Sequence, residues 1–145
     1  VPEYLASLKA NPIISSLREN EILLTSDTIV LFENQILGKP KSKKEGMKML
    51  KKLSGKNHEV ITGVQLKDLN KTISFSSITK VFFKTLSDKE ISFYVEKYKP
   101  LDKAGSYAIQ EWIGYVGVSR IEGCYYNVMG LPLHGIYKNI KKHFY

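Results

Sequence analysis

Apolar and polar residues along this chain change rhythm several times, and each change marks an element. Leu5 and Leu8, three apart, give Pro2 to Leu8 the character of an apolar-faced helix, which Asn11-Pro12 interrupts. Glu21 to Thr25 and Ile29 to Phe32 read as strand, and Glu33-Asn34-Gln35 as a turn into Ile36-Leu37, so Asp27 is expected at a strand break or edge. Ser42-Lys43-Lys44-Glu45 has capping-box spacing, in which the hydroxyl caps one free amide and the glutamate reaches back to another. The helix that follows puts Met47, Leu50 and Leu53 on one face and lysines on the other, and Ser54-Gly55 stops it. Val60, Thr62, Val64 and Leu66 share one face of a strand, and Ile73 to Phe83 is a second β-rich run after the polar turn Asp68 to Lys71. These two predict an antiparallel hairpin.

Ser87-Asp88-Lys89-Glu90 repeats the capping-box pattern before a helix striped by Ile91, Tyr94 and Val95 and ended at Tyr98-Lys99-Pro100. Ile113 to Glu122 and Tyr125 to Met129 then read as paired strands around Gly123-Cys124, with a last helix from about Leu133 to Lys142. The alternation lacks the regular cadence of a purely parallel sheet. It predicts an α/β protein of mixed α+β type, a mixed sheet with helices packed against it, formed as a single domain over residues 1–145.

Composition narrows the possibilities. An apolar fraction of 43% and a charged fraction of 25% are those of a folded globular chain, and no run approaches the ~18 apolar residues of a membrane helix. A membrane partner is therefore not expected. Cys124 is the only cysteine, which permits no intrachain disulfide and suits the cytoplasm. Basic residues exceed acids by 22 − 14 = 8, a field that attracts polyanions, nucleotides and nucleic acid alike. Only Arg18 and Arg120 are arginines, the side chain on which nucleic-acid readout leans, so a nucleic-acid partner is the less favoured reading and a solvated lysine surface the simpler one.

Three positions carry candidate chemistry. Asp27 interrupts an apolar strand pair between Ser26 and Thr28, where a carboxylate is a turn cap, a solvated group or a metal ligand and base. Lys39, between Gly38 and Pro40, sits in a loop of restricted backbone, so its ammonium loses less freedom on gripping a phosphate; taken alone it is a surface lysine. Gln110 can donate and accept at once, as reading a uracil or thymine edge requires, or it makes a loop hydrogen bond. His58, His134 and His143 lack the clustered spacing of a zinc site.

Several motifs fall in an order that fits one family. They are Ser26-Asp27-Thr28-Ile29-Val30, Leu37-Gly38-Lys39-Pro40, His58-Glu59-Val60-Ile61-Thr62-Gly63-Val64, the stretch Asp102 to Gln110, and Glu122-Gly123 with Asn127-Val128-Met129-Gly130-Leu131-Pro132. In these the chain resembles the Maf-family nucleotide pyrophosphatases, and Tyr107-Ala108-Ile109-Gln110 resembles the signature of the dTTP/UTP members, with alanine where glycine is usual.

The resemblance implies a curved mixed sheet with a cleft between two lobes, as in inosine triphosphate pyrophosphatases. It also implies cleavage of a nucleoside triphosphate to the monophosphate and pyrophosphate with a divalent cation, magnesium or manganese. Carried over residue by residue, it makes Asp27 the metal-binding and water-activating carboxylate, Lys39 and less distinctively Lys9 phosphate ligands, Thr28 an accessory to phosphate or metal, and Gln110 a base contact. Asp102 and Lys103 either pair and shape their loop, the favoured reading, or contact substrate. The family's opening strand and phosphate-gripping loop are not matched, so the domain reads as N-terminally incomplete. A homodimer is expected, and a dimeric scaffold whose aromatic C-terminal region forms the subunit contact is one alternative to an enzyme. The other alternative is a non-catalytic nucleotide- or nucleic-acid-binding protein acting in cell division and septum formation.

Overall fold

Two long strands, β3 (Asn57–Lys67) and β4 (Thr72–Phe83), form the antiparallel hairpin that the alternation predicts, in the computed structural model, which describes residues 1–145. The Asp68 carboxylate closes their turn by accepting from the amides of Asn70 and Lys71, both at 2.8 Å. On the other side of β3 lie β1 (Leu23–Phe32) and then β2 (Gln35–Leu37), while β5 (Val118–Glu122) flanks β4. The α+β class is the one expected, yet all four strand pairings are antiparallel rather than mixed. Parallel neighbours need a crossover of about a dozen residues or more. Here β1 turns into β2 through Glu33 and Asn34 alone, both at positive φ, the backbone that a two-residue hairpin demands.

Paired residues share a face and neighbours along a strand do not. The register therefore puts Val30, His58, Val60 and Val81 on one side of the sheet. On this side lie α2 (Lys43–Leu53) and α3 (Asp88–Tyr98), which bury Leu50 and Leu53, and Ile91, Tyr94 and Val95, in the main core. Both helices start where the serines predict. Ser87 and Glu90 complete the reciprocal box, whereas Ser42 accepts from the Glu45 amide and the return bond is not formed. Further along the same face, α6 (Leu133–Phe144) covers Val64 and Leu66 with Ile136.

Between these two apolar regions runs a polar belt. Asn127, fully buried, directs the two protons of Nδ2 at three acceptors, the Val60 and Ser77 carbonyls at 3.1 Å and Thr79 Oγ1 at 3.0 Å. It is delivered by α5 (Tyr125–Val128), a single turn where a strand was expected. The expected strand from Ile113 is likewise helical at its start: α4 (Trp112–Gly117) precedes β5. Its aromatic and β-branched residues favour strand locally, but Ile113 and Gly117, four apart, are the buried positions, so helical packing prevails over propensity.

The opposite side of the sheet carries α1 (Pro2–Ala10). Pro2, Ala6 and Ala10 face inward rather than Leu5 and Leu8, and Leu8 is 44% exposed. Small residues are required because the helix touches the sheet backbone. A Cβ built on Gly63 of β3 would stand 2.1 Å from the Glu3 amide nitrogen and 2.2 Å from the Pro2 carbonyl carbon.

Candidate functional site

Asp27 lies within a continuous β1, paired with Gly63, and not at a strand break. It does lie on an edge, since β2 pairs only with Val30 to Phe32 and leaves Leu23 to Ile29 bonded to β3 alone. The bare Cα of Gly63 lets the first turn of α1 settle across the sheet, and two side chains latch it there. Thr25 Oγ1 donates to the Ala6 carbonyl at 2.7 Å, and the Ser76 hydroxyl donates to the Glu3 carboxylate. The last turn of α1 then carries Lys9 over Asp27. Its Nζ stands 2.6 Å from Asp27 Oδ1 and donates to the Ser26 carbonyl at 2.8 Å.

The Asp27 side chain is 22% exposed and that of Lys9 53%, so the pair sits at the solvent boundary. Exposed pairs of this kind are worth ~1 kcal/mol or less. The contribution of this one is positional: a cation is held beside a carboxylate that solvent, and therefore a ligand, can reach.

Thr28, the next residue, points to the other side of the sheet. Its hydroxyl is 2.9 Å from that of Thr62, which donates to the Asn127 carbonyl at 3.3 Å. Ser26, on the same side as Thr28, donates to the Gly130 carbonyl at 3.4 Å. One face of β1 thus offers Asp27, and the other is tied to the Asn127–Gly130 segment.

Lys39 is exposed, just past β2. Because β2 runs antiparallel to β1, from Gln35 opposite Phe32 to Leu37 opposite Val30, the chain leaves it heading along the β1 edge toward Asp27. Pro40, which follows Lys39, is buried. The Gly38 carbonyl accepts from the Gly105 amide at 3.1 Å, which laces this loop to the Asp102–Gln110 stretch. Gly105, at φ 73, lies against Val30, where a Cβ would meet the valine methyls at 3.1 and 3.2 Å. Asp102 and Lys103 pair at 3.3 Å as expected; the Lys103 hydrogen bond is the main reason the Asp102 carboxyl is held below the usual carboxylate range, with a smaller pull from the Lys39 charge.

Gln110 is exposed at the end of that stretch, and no hydrogen bond or ion pair joins it, or Lys39, to Asp27. The segment before it is firmly buried. His58, 1% exposed, is hydrogen bonded through Nε2 to the Tyr107 hydroxyl at 2.6 Å, and burial lowers its pKa from 6.5 to about 4. Burial raises the Tyr107 hydroxyl, so both partners are neutral near pH 7. Tyr94 accepts from the Ala108 amide at 3.1 Å and donates to Glu111 Oε1 at 2.6 Å. Burial, and then the bond to Glu111, push its hydroxyl pKa up as well.

No cluster of three or more acidic, histidine or cysteine side chains exists to cage a metal. A magnesium-like cation is commonly held by one or two carboxylates with substrate phosphates and water completing its shell. Asp27, alone and accessible, fits that limited role and no more. A cavity of about 490 Å³ lies instead between Arg18–Ile22, the β3–β4 turn and the end of α6. Its Asp68 is already engaged in capping the turn.

Residue types in the motifs pointed to Asp27, Lys9, Lys39 and Gln110. The parts played by Gly63, Tyr94 and Asn127 were not read from sequence. For Gly63 a signal existed, as a glycine in the middle of a strand marks a close backbone approach.

A match to the Maf-like protein family extends over residues 1–143, and the chain belongs to that family. Among its relatives, a protein of Christiangramia forsetii named dTTP/UTP pyrophosphatase is 51% identical over 98% of this chain and 72% of its own length. Proteins of the same name from Porphyromonas gingivalis (48% identical, over 97% of this chain and 72% of theirs) and Phocaeicola vulgatus (49%, over 98% and 74%) are similarly close. No helix is long and apolar enough to cross a membrane.

Proposed function

We propose that this protein is a nucleoside triphosphate pyrophosphatase that hydrolyses dTTP and UTP to the nucleoside monophosphate and pyrophosphate. The observation that carries the reading is the Lys9–Asp27 pair on the uncovered edge of β1, with the Lys39 loop directed along the same edge. In the reaction, water attacks the α-phosphorus while the bond to the oxygen bridging the α and β phosphorus breaks, and pyrophosphate leaves. Asp27 accepts the proton of the attacking water. Lys9 and Lys39 hold the phosphate charge, and Gln110 meets the base. A divalent cation, magnesium or manganese, bound with Asp27 as its protein ligand supplies charge neutralisation on the triphosphate. Thr28 serves the ligand indirectly in this reading, because its hydroxyl fixes β1 to β3 on the other face. The nucleotide substrate and the lone Cys124 fit residence in the cytoplasm.

The test follows pyrophosphate release from dTTP, UTP, 7-methyl-GTP and ATP with magnesium or manganese. The expected result is turnover of dTTP and UTP that Asp27→Asn lowers by ~10²-fold or more, the range typical of a lost general base. Turnover unaffected by that substitution, or none by the unaltered protein, removes the reading.

A further inference from the structure

Gln110 is exposed, yet the backbone on either side of it is pinned, and one buried hydroxyl does most of the pinning. Tyr94 is fully buried on α3, its ring stacked on Tyr98 at a centroid distance of 5.0 Å. Its hydroxyl accepts from the amide of Ala108, two residues before Gln110, and donates to the carboxylate of Glu111, one residue after it. The Glu111 amide in turn donates to the Ala108 carbonyl at 3.1 Å, so Ile109 and Gln110 form the crown of a turn closed by backbone and bridged by tyrosine. The raised hydroxyl pKa keeps the proton that the Glu111 bond needs. The capping box of Ser87 and Glu90 anchors the start of the helix that presents the ring.

We propose that Tyr94 is a positioning residue for base selection, its hydroxyl holding the Ala108–Glu111 turn so that Gln110 meets a uracil or thymine ring in one orientation. This rests on the reading of Gln110 given above. A glutamine end carries a donor and an acceptor, and turning it over matches the inverted pattern of a cytosine edge. An amide on a loose turn therefore discriminates poorly, and discrimination has to come from the frame. Tyr94 touches neither substrate nor Asp27, so its removal affects selection more than turnover.

The experiment compares kcat and KM for dTTP and dCTP in the unaltered protein, Tyr94→Phe, Gln110→Ala and the double variant, with amide hydrogen exchange over residues 107–112. For Tyr94→Phe the expected result is a roughly tenfold fall in the dTTP-over-dCTP ratio of kcat/KM, the factor that one lost hydrogen bond supplies. The fall should reside in KM, with kcat for dTTP nearly retained and exchange at Ala108 and Gln110 accelerated. The double variant should be no less selective than Gln110→Ala, because both act through one side chain. If Gln110→Ala lowers the ratio and Tyr94→Phe does not, the proposal fails while the proposed function stands. If Gln110→Ala leaves the ratio unchanged in an active enzyme, the base contact fails and Tyr94 with it. Unchanged exchange over the turn in Tyr94→Phe refutes the clamp whether or not any nucleotide is hydrolysed. Glu111→Ala removes one arm of the bridge from a half-buried site and gives the same readouts should Tyr94→Phe not fold.

Discussion

Acid should weaken this protein well above the pH at which its carboxylates protonate, and His58 is the cause. The ring is sealed between Phe83 and Tyr107, with centroids 5.4 Å from each, and its Nδ1 has no partner. Burial opposes the imidazolium and lowers the folded pKa from 6.5 to about 4. Between those values the unfolded chain binds a proton that the native chain refuses, so stability falls as pH falls. At ~1.4 kcal/mol per pH unit of displacement, the full loss is about 3 kcal/mol, and about 2 kcal/mol of it is gone by pH 5.

Asp68, Glu90 and Asp102 are held below the usual carboxylate range, chiefly by hydrogen bonds. What they contribute is present above their ordinary values and is lost only as pH falls through the lowered ones, beneath this window. Against a typical total of ~5–15 kcal/mol the His58 effect is large. Urea unfolding at pH 7.5, 6 and 5 measures it, with His58→Gln as the control, less stable at pH 7.5 but flatter with pH. Equal stability of the unaltered protein at pH 7.5 and 5, or an undiminished decline in His58→Gln, refutes the assignment.

Gly63→Ala should destabilise by ~3 kcal/mol or more, because the new methyl meets backbone of α1 that cannot rotate away, and should accelerate amide exchange across α1. Gly38→Ala, with nothing within 4 Å, is the matched control and should leave the melting temperature nearly unchanged. Asn127→Ala removes a two-proton donor from a fully buried position, at ~1 kcal/mol for each bond donated, and should lower the urea-extrapolated stability by about 2 kcal/mol.

The elements legible in the sequence are those whose signals are local. α2 and α3 carry their own serine caps and helical stripes, and the β3–β4 hairpin carries its alternation and its Asp68 turn. What stayed hidden depends on the partner an element meets. α1 buries alanines rather than leucines because Gly63 draws it against the sheet backbone, a fact outside the helix itself. Tyr125 to Val128 makes a turn of helix because Asn127 has sheet carbonyls to satisfy, again a tertiary demand. At the site, residue types were readable and directions were not. Asp27 interrupts the apolar pattern, which places it at a break or an edge; it lies on an edge of a continuous β1, and in a continuous strand neighbouring side chains must diverge.

That divergence bears on how the site is built. Asp27 and Thr28 cannot both reach one ligand while β1 keeps this geometry, so a hydroxyl beside the carboxylate must come from a water, or else the hydroxyl of Thr28 acts through the sheet. The second route has a visible path: Thr28 joins Thr62, Thr62 joins the Asn127 carbonyl, and Asn127 is bonded into β3 and β4. A strand fixed so firmly on one face can present a carboxylate on the other without shifting under charge. Lys9 completes the arrangement, because one ammonium neutralises Asp27 and occupies the Ser26 carbonyl on the stretch that β2 leaves uncovered. Its worth in stability is small, and the proposed reaction gives it a second partner, the phosphate anion it meets once the carboxylate is engaged elsewhere.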